Sequence, residues 1–318
     1  MTLARGAHTD PIEEPANLLK DALQRLLENR LAVLGGVIIV LFVLASLIGP
    51  LILPYDFLEQ DLAARNALPS LNHLLGTDDL GRDLLSRVVY GGRTALLVAI
   101  VVTATAVAIG IVLGAVAGYL GGKIDAFIMW LTDMTMSVPS LLLVVVINAS
   151  LKPFFAAWME AKFEETRNAF YRDTGYIDLG LLFFTIALIK WPQYARLMRG
   201  QVLIVRNSNY VLAAKALGLS TRVIISRFII PNTLGPIIVA VSFGIGTAMV
   251  LESSFSFLGV GVQPPTPSWG RMISDGLRSW STYPHLLVVP AVTLGIVTVA
   301  FALFGDGLNN ALNPKARR

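Results

Sequence analysis

The stretch GTDDLGRDLLSR, residues 76–87, sets five charges of alternating sign close together: Asp78, Asp79, Arg82, Asp83 and Arg87. Arg82 stands four residues from Asp78 and three from Asp79, spacings at which side chains on one helix face pair. Two roles are open to the group, local ion pairing or a charged surface for a docking partner. Two other acids, Asp133 and Glu252, lie inside apolar runs. A carboxylate there is expensive in lipid, about 2.5 to 3.5 kcal/mol at a span centre. Each therefore faces either a satisfied polar pocket or a pore or gate, and Pro139 joins them as a kink candidate.

Other chemistries fail on residue type. With no cysteine, thiolate and disulfide chemistry is excluded, and His8, His73 and His285 are too scattered for a metal site. No cofactor is expected. No nucleophile and base constellation presents itself, so an enzyme has nothing to work with. A phosphate-binding loop is missing as well: Gly122-Lys123 is followed by Ile124, and Ala117 stands where the leading glycine belongs. ATP hydrolysis, if the protein uses it, belongs to another chain.

The elements that must position these residues are membrane helices. Of 318 residues, 55% are hydrophobic and only 14% charged, far from the balance of a soluble domain. The net charge of +4 is spread thinly, with no basic tract interleaved with aromatics, so nucleic acid is not an expected partner. A helix needs about 20 apolar residues to cross the hydrocarbon core. That criterion predicts an all-α integral membrane protein with six spans, at residues 31–53, 94–120, 126–150, 177–195, 231–255 and 285–305, with a core domain covering 94–305. The first run follows a polar stretch containing Glu-Glu and Glu-Asn-Arg, which predicts a retained span and not a cleaved leader.

The second span, free of charge from Thr94 to Gly122, has small residues at Ala104, Ala106, Ala108, Gly110, Gly114 and Gly118, suited to close helix packing in lipid. The fourth reaches full length if Tyr176, Trp191 and Tyr194 sit at an interface and Lys190 snorkels.

An even number of spans puts both termini on one side, and about fifteen of the 25 basic residues fall on that side against about ten on the other. The bias predicts cytoplasmic termini. Segments 1–30, 196–230 and 306–318 are then inside, and 54–93, 151–176 and 256–284 outside. Within the first, ANLLKDALQRLLENR is amphipathic, either lying on the inner membrane surface or leading into the first span. Segment 151–176 places Phe155, Met159, Phe163 and Phe170 at helical spacing and predicts a short outer helix. In the third outer segment, QPPTPSWG predicts a stiff loop, as a gate or as a plain connector, with Trp269 beside it.

The inner segment VLAAKALGLSTRVIISRFIIPN, residues 211–232, predicts a helix–turn–helix. Tyr210 to Leu217 favours helix, Gly218 stops it, Ser220 or Thr221 caps a second short helix, and Pro231 ends the segment. Such a knob suits a groove on a cytoplasmic partner.

Measured from Gly218, this segment resembles the coupling loop of bacterial ABC importer permeases, whose pattern is Glu-Ala-Ala, three residues, Gly, nine residues, Ile, one residue, Leu-Pro. Ala213, Ala214, Gly218 and Pro231 match; Leu212, Phe228 and Ile230 replace the Glu, Ile and Leu. The stretches from His73 to Leu96 and from Ser256 to Gly276 are similar to signature regions of the C-type, second permease subunit of the dipeptide/oligopeptide group. The likeness runs from Asn29 to Asn313, with the stretch from Pro153 to Asp173 longer than expected for the group.

The resemblance implies a permease subunit in a bacterial inner membrane, importing di- or oligopeptides. Its partners would be a homologous second permease, two cytoplasmic ATPase subunits, an extracytoplasmic solute-binding protein and membrane lipid. It also implies an ATPase-coupling role for Ala213, Ala214, Lys215, Gly218, Arg222 and Pro231, and docking of the binding protein at Asp78, Asp79, Arg82, Asp83 and Trp269. Nickel or oligosaccharide cargo belongs to the same group. From a different class, an ion-gradient-driven transporter would need paired repeats and a cluster of membrane acids; two isolated acids support it thinly.

Overall fold

The computed structural model describes residues 18–172 and 175–312; what was expected of 1–17 and 313–318 lies outside them. Among the described residues there are helices and turns and no β-strand, only an isolated bridge from Thr77 to Asp83.

The chain opens with α1 (Leu18–Glu28) and α2 (Arg30–Ile52). Between them Asn29 caps α2, its Oδ1 accepting from the backbone N–H groups of Leu31 at 3.1 Å and Ala32 at 3.2 Å, which serves two of the four free donors at a helix start. Helix α3 (Leu84–Leu120) is 37 residues long, about 55 Å at 1.5 Å per residue and so longer than the hydrocarbon core. It begins ten residues before the expected Thr94, because Asp83 caps it there and Arg87 is neutralised by Asp78.

The stretch expected as one kinked span, 126–150, is two helices, α4 (Gly122–Ser137) and α5 (Ser140–Thr166). Val138, the residue before Pro139, is extended at φ −84°, ψ 126°, as steric clash with a following proline ring demands. Helix α5 then runs on through Pro153 to Thr166. The short separate helix expected in 151–176 is instead the continuation of this one, and Arg167 ends it in the left-handed conformation at φ 53°.

After α6 (Gly175–Val205) come α7 (Asn209–Ala216), the single turn α8 (Thr221–Val223), a π-helical stretch over Ile224–Ile229, and α9 (Ile230–Phe257). The chain closes with α10 (Trp269–Leu277) and α11 (His285–Leu312). Among the described residues, five helices are long and apolar enough to cross a membrane: α2, α3, α5, α9 together with its lead-in from Thr221, and α11. At 31 residues α6 has the length as well, but it carries Asp178, Lys190, Arg196 and Arg199.

The tightest seam joins α3 to α6. A Cβ on Gly110 would meet Tyr194 Cβ at 2.5 Å, one on Gly114 would meet Met198 Cβ at 2.8 Å, and one on Gly118 would meet Val202 Cβ at 2.8 Å. Both sets of numbers climb together, so the two helices run parallel. Ala106 lies on this buried face, whereas Ala104 and Ala108 are exposed on the other. In lipid, where burial of apolar surface gains little, such backbone approach supplies the dispersion contacts that hold helices together. A second core, around Phe42, Leu96, Met249, Trp269 and Phe301, joins α2, α3, α9, α10 and α11.

Candidate functional site

At one end of the bundle, α7 and the turn after it form a knob. Helix α7 ends in a Schellman motif: Gly218 N–H donates to Lys215 O at 2.9 Å and Leu219 N–H to Ala214 O at 3.2 Å. Gly218 takes φ +73° with no atom near its missing Cβ. Glycine is there for backbone conformation and not for space. Val211 and Ala214 are buried against Met198, Val202 and Ile224. The outward face, Leu212, Ala213, Ala216, Leu217 and Leu219, is exposed, Leu217 to 80%. Five apolar residues exposed together on one small element mark a contact surface. Lys215 lies over the Tyr119 ring at 5.0 Å, fastening the knob to α3.

Past Gly218 the chain departs from the expected helix–turn–helix. Pro231 does not end a second short helix; the chain from Thr221 to Phe257 is one continuous helix with Pro231 inside it. Proline has no N–H and its ring crowds the carbonyl one turn back. The π-helical Ile224–Ile229 widens the helix just before it, with Ile230 N–H reaching five residues back to Ile225 O, and Asn232 Nδ2 donates to Phe228 O at 2.7 Å. The widened turn absorbs the proline. Arg222 and Arg227 are exposed on it while Ile224 and Ile229 are buried.

At the opposite end, Trp269 is only 1% exposed. Its Nε1–H donates to Val88 O at 2.9 Å, and its ring sits against Gly91, Gly92 and the Phe42 ring. Trp269 is thus a wedge inside the chain and leaves the docking set. Asp83 leaves it too: buried, it caps α3 through Ser86 N–H at 2.8 Å and faces His73 Nδ1 at 3.0 Å. Asp78 joins Arg82 at 2.7 Å and Arg87 at 3.3 Å. Only Asp79 stands well exposed, with 67% of its side chain open.

Glu252 is completely buried near the same end. Ser256 Oγ donates to its Oε1 at 2.7 Å, Ser253 Oγ to its Oε2 at 3.2 Å, and Ser268 adds a further hydrogen bond. These hydroxyls supply the hydrogen bonds that a buried carboxylate needs. Asp133 and Pro139 are exposed on and after α4. Asp133 pairs with Arg196 of α6, and about two turns of helix away Asp125 accepts two hydrogen bonds from Arg199. These arginines were missed as site residues because their partners lie more than 60 positions away in the chain; only their spacing on one face of a helix end signalled a role.

Residues 110–318 match the family described as the inner membrane component of binding-protein-dependent transport systems. Residues 17–69 match the N-terminal transmembrane domain of oligopeptide transport permease C. Among similar proteins, the dipeptide transport system permease protein DppC of Bacillus subtilis is 35% identical, over 99% of this chain and 91% of its own length. The oligopeptide transport system permease protein OppC of Escherichia coli is 36% identical over 96% and 93%. The probable D,D-dipeptide transport system permease protein DdpC of Escherichia coli is 37% identical over 90% and 88%. The chain belongs to the family of inner membrane components of binding-protein-dependent transport systems.

Proposed function

We propose that this member of the binding-protein-dependent permease family is the C-type permease subunit of an ATP-driven importer of di- or oligopeptides. The observation that carries the reading is the match of nearly the whole chain to peptide permeases. A second observation gives it a mechanism: the exposed apolar knob of α7 and Leu217 to Leu219. The partners are a homologous second permease, two ATPase subunits at the knob, and a solute-binding protein at the α10 end, with the exposed Asp79 in its docking surface.

Helix α6 is taken as the sixth span. Its parallel course beside α3 supports this, because α3 and α6 then cross in one direction with α5 returning between them. Six crossings put both termini on the knob's side, and the basic residues of that side make it the cytoplasm. ATP-driven closure of the ATPase pair presses on the knob. Since the segment after Gly218 is continuous with α9, the displacement reaches the spans as a rigid lever, switching access between two discrete packings.

The test is reconstitution of the chain with its partner subunits in proteoliposomes, scoring ATP-dependent uptake of a labelled tripeptide. Uptake that needs both ATP and the binding protein is the expected result. Failure of any ATPase subunit to associate with the purified chain overturns the reading.

A further inference from the structure

Lys190 is the sixteenth of the 31 residues of α6, and its depth can be read from the helix beside it. Trp191 and Tyr194 pack with Ala106, and Gly110 faces Tyr194. Lys190 is therefore level with the middle of the stretch from Thr94 to Gly122, which carries no charge. The snorkelling position expected for it belongs to a helix end, and α6 continues for fifteen residues past it.

A cation at that depth needs a counter-charge or a wet path. The acids of the neighbouring helices are already engaged: Asp125 by Arg199, Asp133 by Arg196, Asp178 by Lys152, and Glu252 by its serines. Among the described residues, the hydrogen bond recorded for Lys190 is to Thr247 Oγ1 of α9, at 2.9 Å. Lys190 is half-buried and Thr247 exposed, so the pair opens on a face between α6 and α9 that its own chain leaves uncovered. Lipid tails cannot cover an ammonium group and a hydroxyl at this level without leaving both unsatisfied.

We propose that Lys190, seated by Thr247, is a binding point for the carboxylate of the peptide in transit, on the wall of the translocation path. The inference rests on the peptide-importer reading above and names a subsite within it. An ammonium offers three donors, of which Thr247 takes one, leaving two for a carboxylate that passes and departs. A charged hydrogen bond of this kind is worth about tenfold or more in affinity, which uptake reads directly when the peptide is well below saturation.

The experiment uses the complete reconstituted importer with trialanine as probe. Lys190→Met keeps the length and apolarity a membrane helix tolerates, and Lys190→Arg keeps the charge. Expected are a fall of about tenfold in ATP-dependent trialanine uptake for Lys190→Met, substantial recovery for Lys190→Arg, and unchanged co-purification of the partner subunits. Equal uptake by Lys190→Met and the parent chain overturns the inference. So does loss of the second permease subunit from the Lys190→Met complex, which assigns the counter-charge to that subunit. If the parent complex itself moves no peptide with ATP, the importer reading fails, and with it the premise.

Discussion

Arg199 of α6 grips Asp125 of α4 through two parallel hydrogen bonds, Nε to Oδ1 and Nη2 to Oδ2, the second 2.6 Å long. Ten residues farther on α7 opens the knob, so the arginine joins the stem of the knob to a helix that has few other attachments; only Ile128 and Thr132 of α4 are buried. Bidentate geometry makes this one of the stronger charge pairs, though both groups keep some access to solvent. Asp125→Ala is expected to cost about 1 kcal/mol, lowering the melting temperature of the detergent-solubilised chain by roughly 2–4 °C. The exchange Asp125→Arg with Arg199→Asp should recover most of that loss. Asp133→Ala should cost less, because the Asp133–Arg196 pair is the more exposed one. An equal loss from both variants would count against the ranking.

Gly218 separates two explanations of why the turn after α7 carries glycine. Nothing crowds the site, so a side chain meets no clash, but φ of +73° penalises any Cβ. Costs then follow backbone preference: Asn mildest, Ala intermediate at about 1 kcal/mol, Val worst. ATP-dependent uptake by Gly218→Asn, Gly218→Ala and Gly218→Val should fall in that order while membrane insertion persists. A result ordered by side-chain volume, with Asn worse than Ala, would place the constraint in a partner's groove.

The α3–α6 seam gives a paired test of helix face. Gly114→Leu drives a side chain into Met198 and the backbone of Ala195 and is expected to destabilise by about 3 kcal/mol or more. Ala104→Leu, on the exposed face, should fall within about 0.5 kcal/mol of the parent. Yield and thermal melting of the two variants in detergent check the contrast.

What the sequence made legible was whatever depends on local composition. The apolar runs announced the membrane helices, and Gly218 announced the end of α7, because hydropathy and a left-handed turn are properties of a few neighbouring residues. Pro139 marked a kink for the same reason, where the chain in fact breaks into α4 and α5. Pro231 misled, since a proline stops a helix only if nothing accommodates it, and the π-helical turn before it depends on how Ile224 and Ile229 pack against other helices. The docking candidates misled similarly. Trp269 and Asp83 look like surface residues within a polar loop, and only the folded chain brings Val88, Gly91 and His73 against them. Burial of a loop residue is a long-range property, as is the pairing of Asp133 with Arg196, 63 positions on.

Trp269 offers the sharpest test of that correction, because docking and wedging predict different variants to fail. As a wedge it fills the space over Gly91 and Gly92 and ties α10 to α3 through the bond to Val88 O. Trp269→Ala empties that space, at about 3–5 kcal/mol for a buried tryptophan. Trp269→Phe keeps most of the ring and gives up one hydrogen bond, about 1 kcal/mol. The Ala variant should melt well below the parent in detergent, without any binding protein present, and the Phe variant only slightly below it. If Trp269 were a docking residue, both variants would melt like the parent and lose affinity for the binding protein alone. The glycines it covers make the converse check: Gly92→Val closes the space from the other side, where Phe42 and the indole leave a new Cβ about 3.0 Å of room, and it should destabilise without touching any exposed surface.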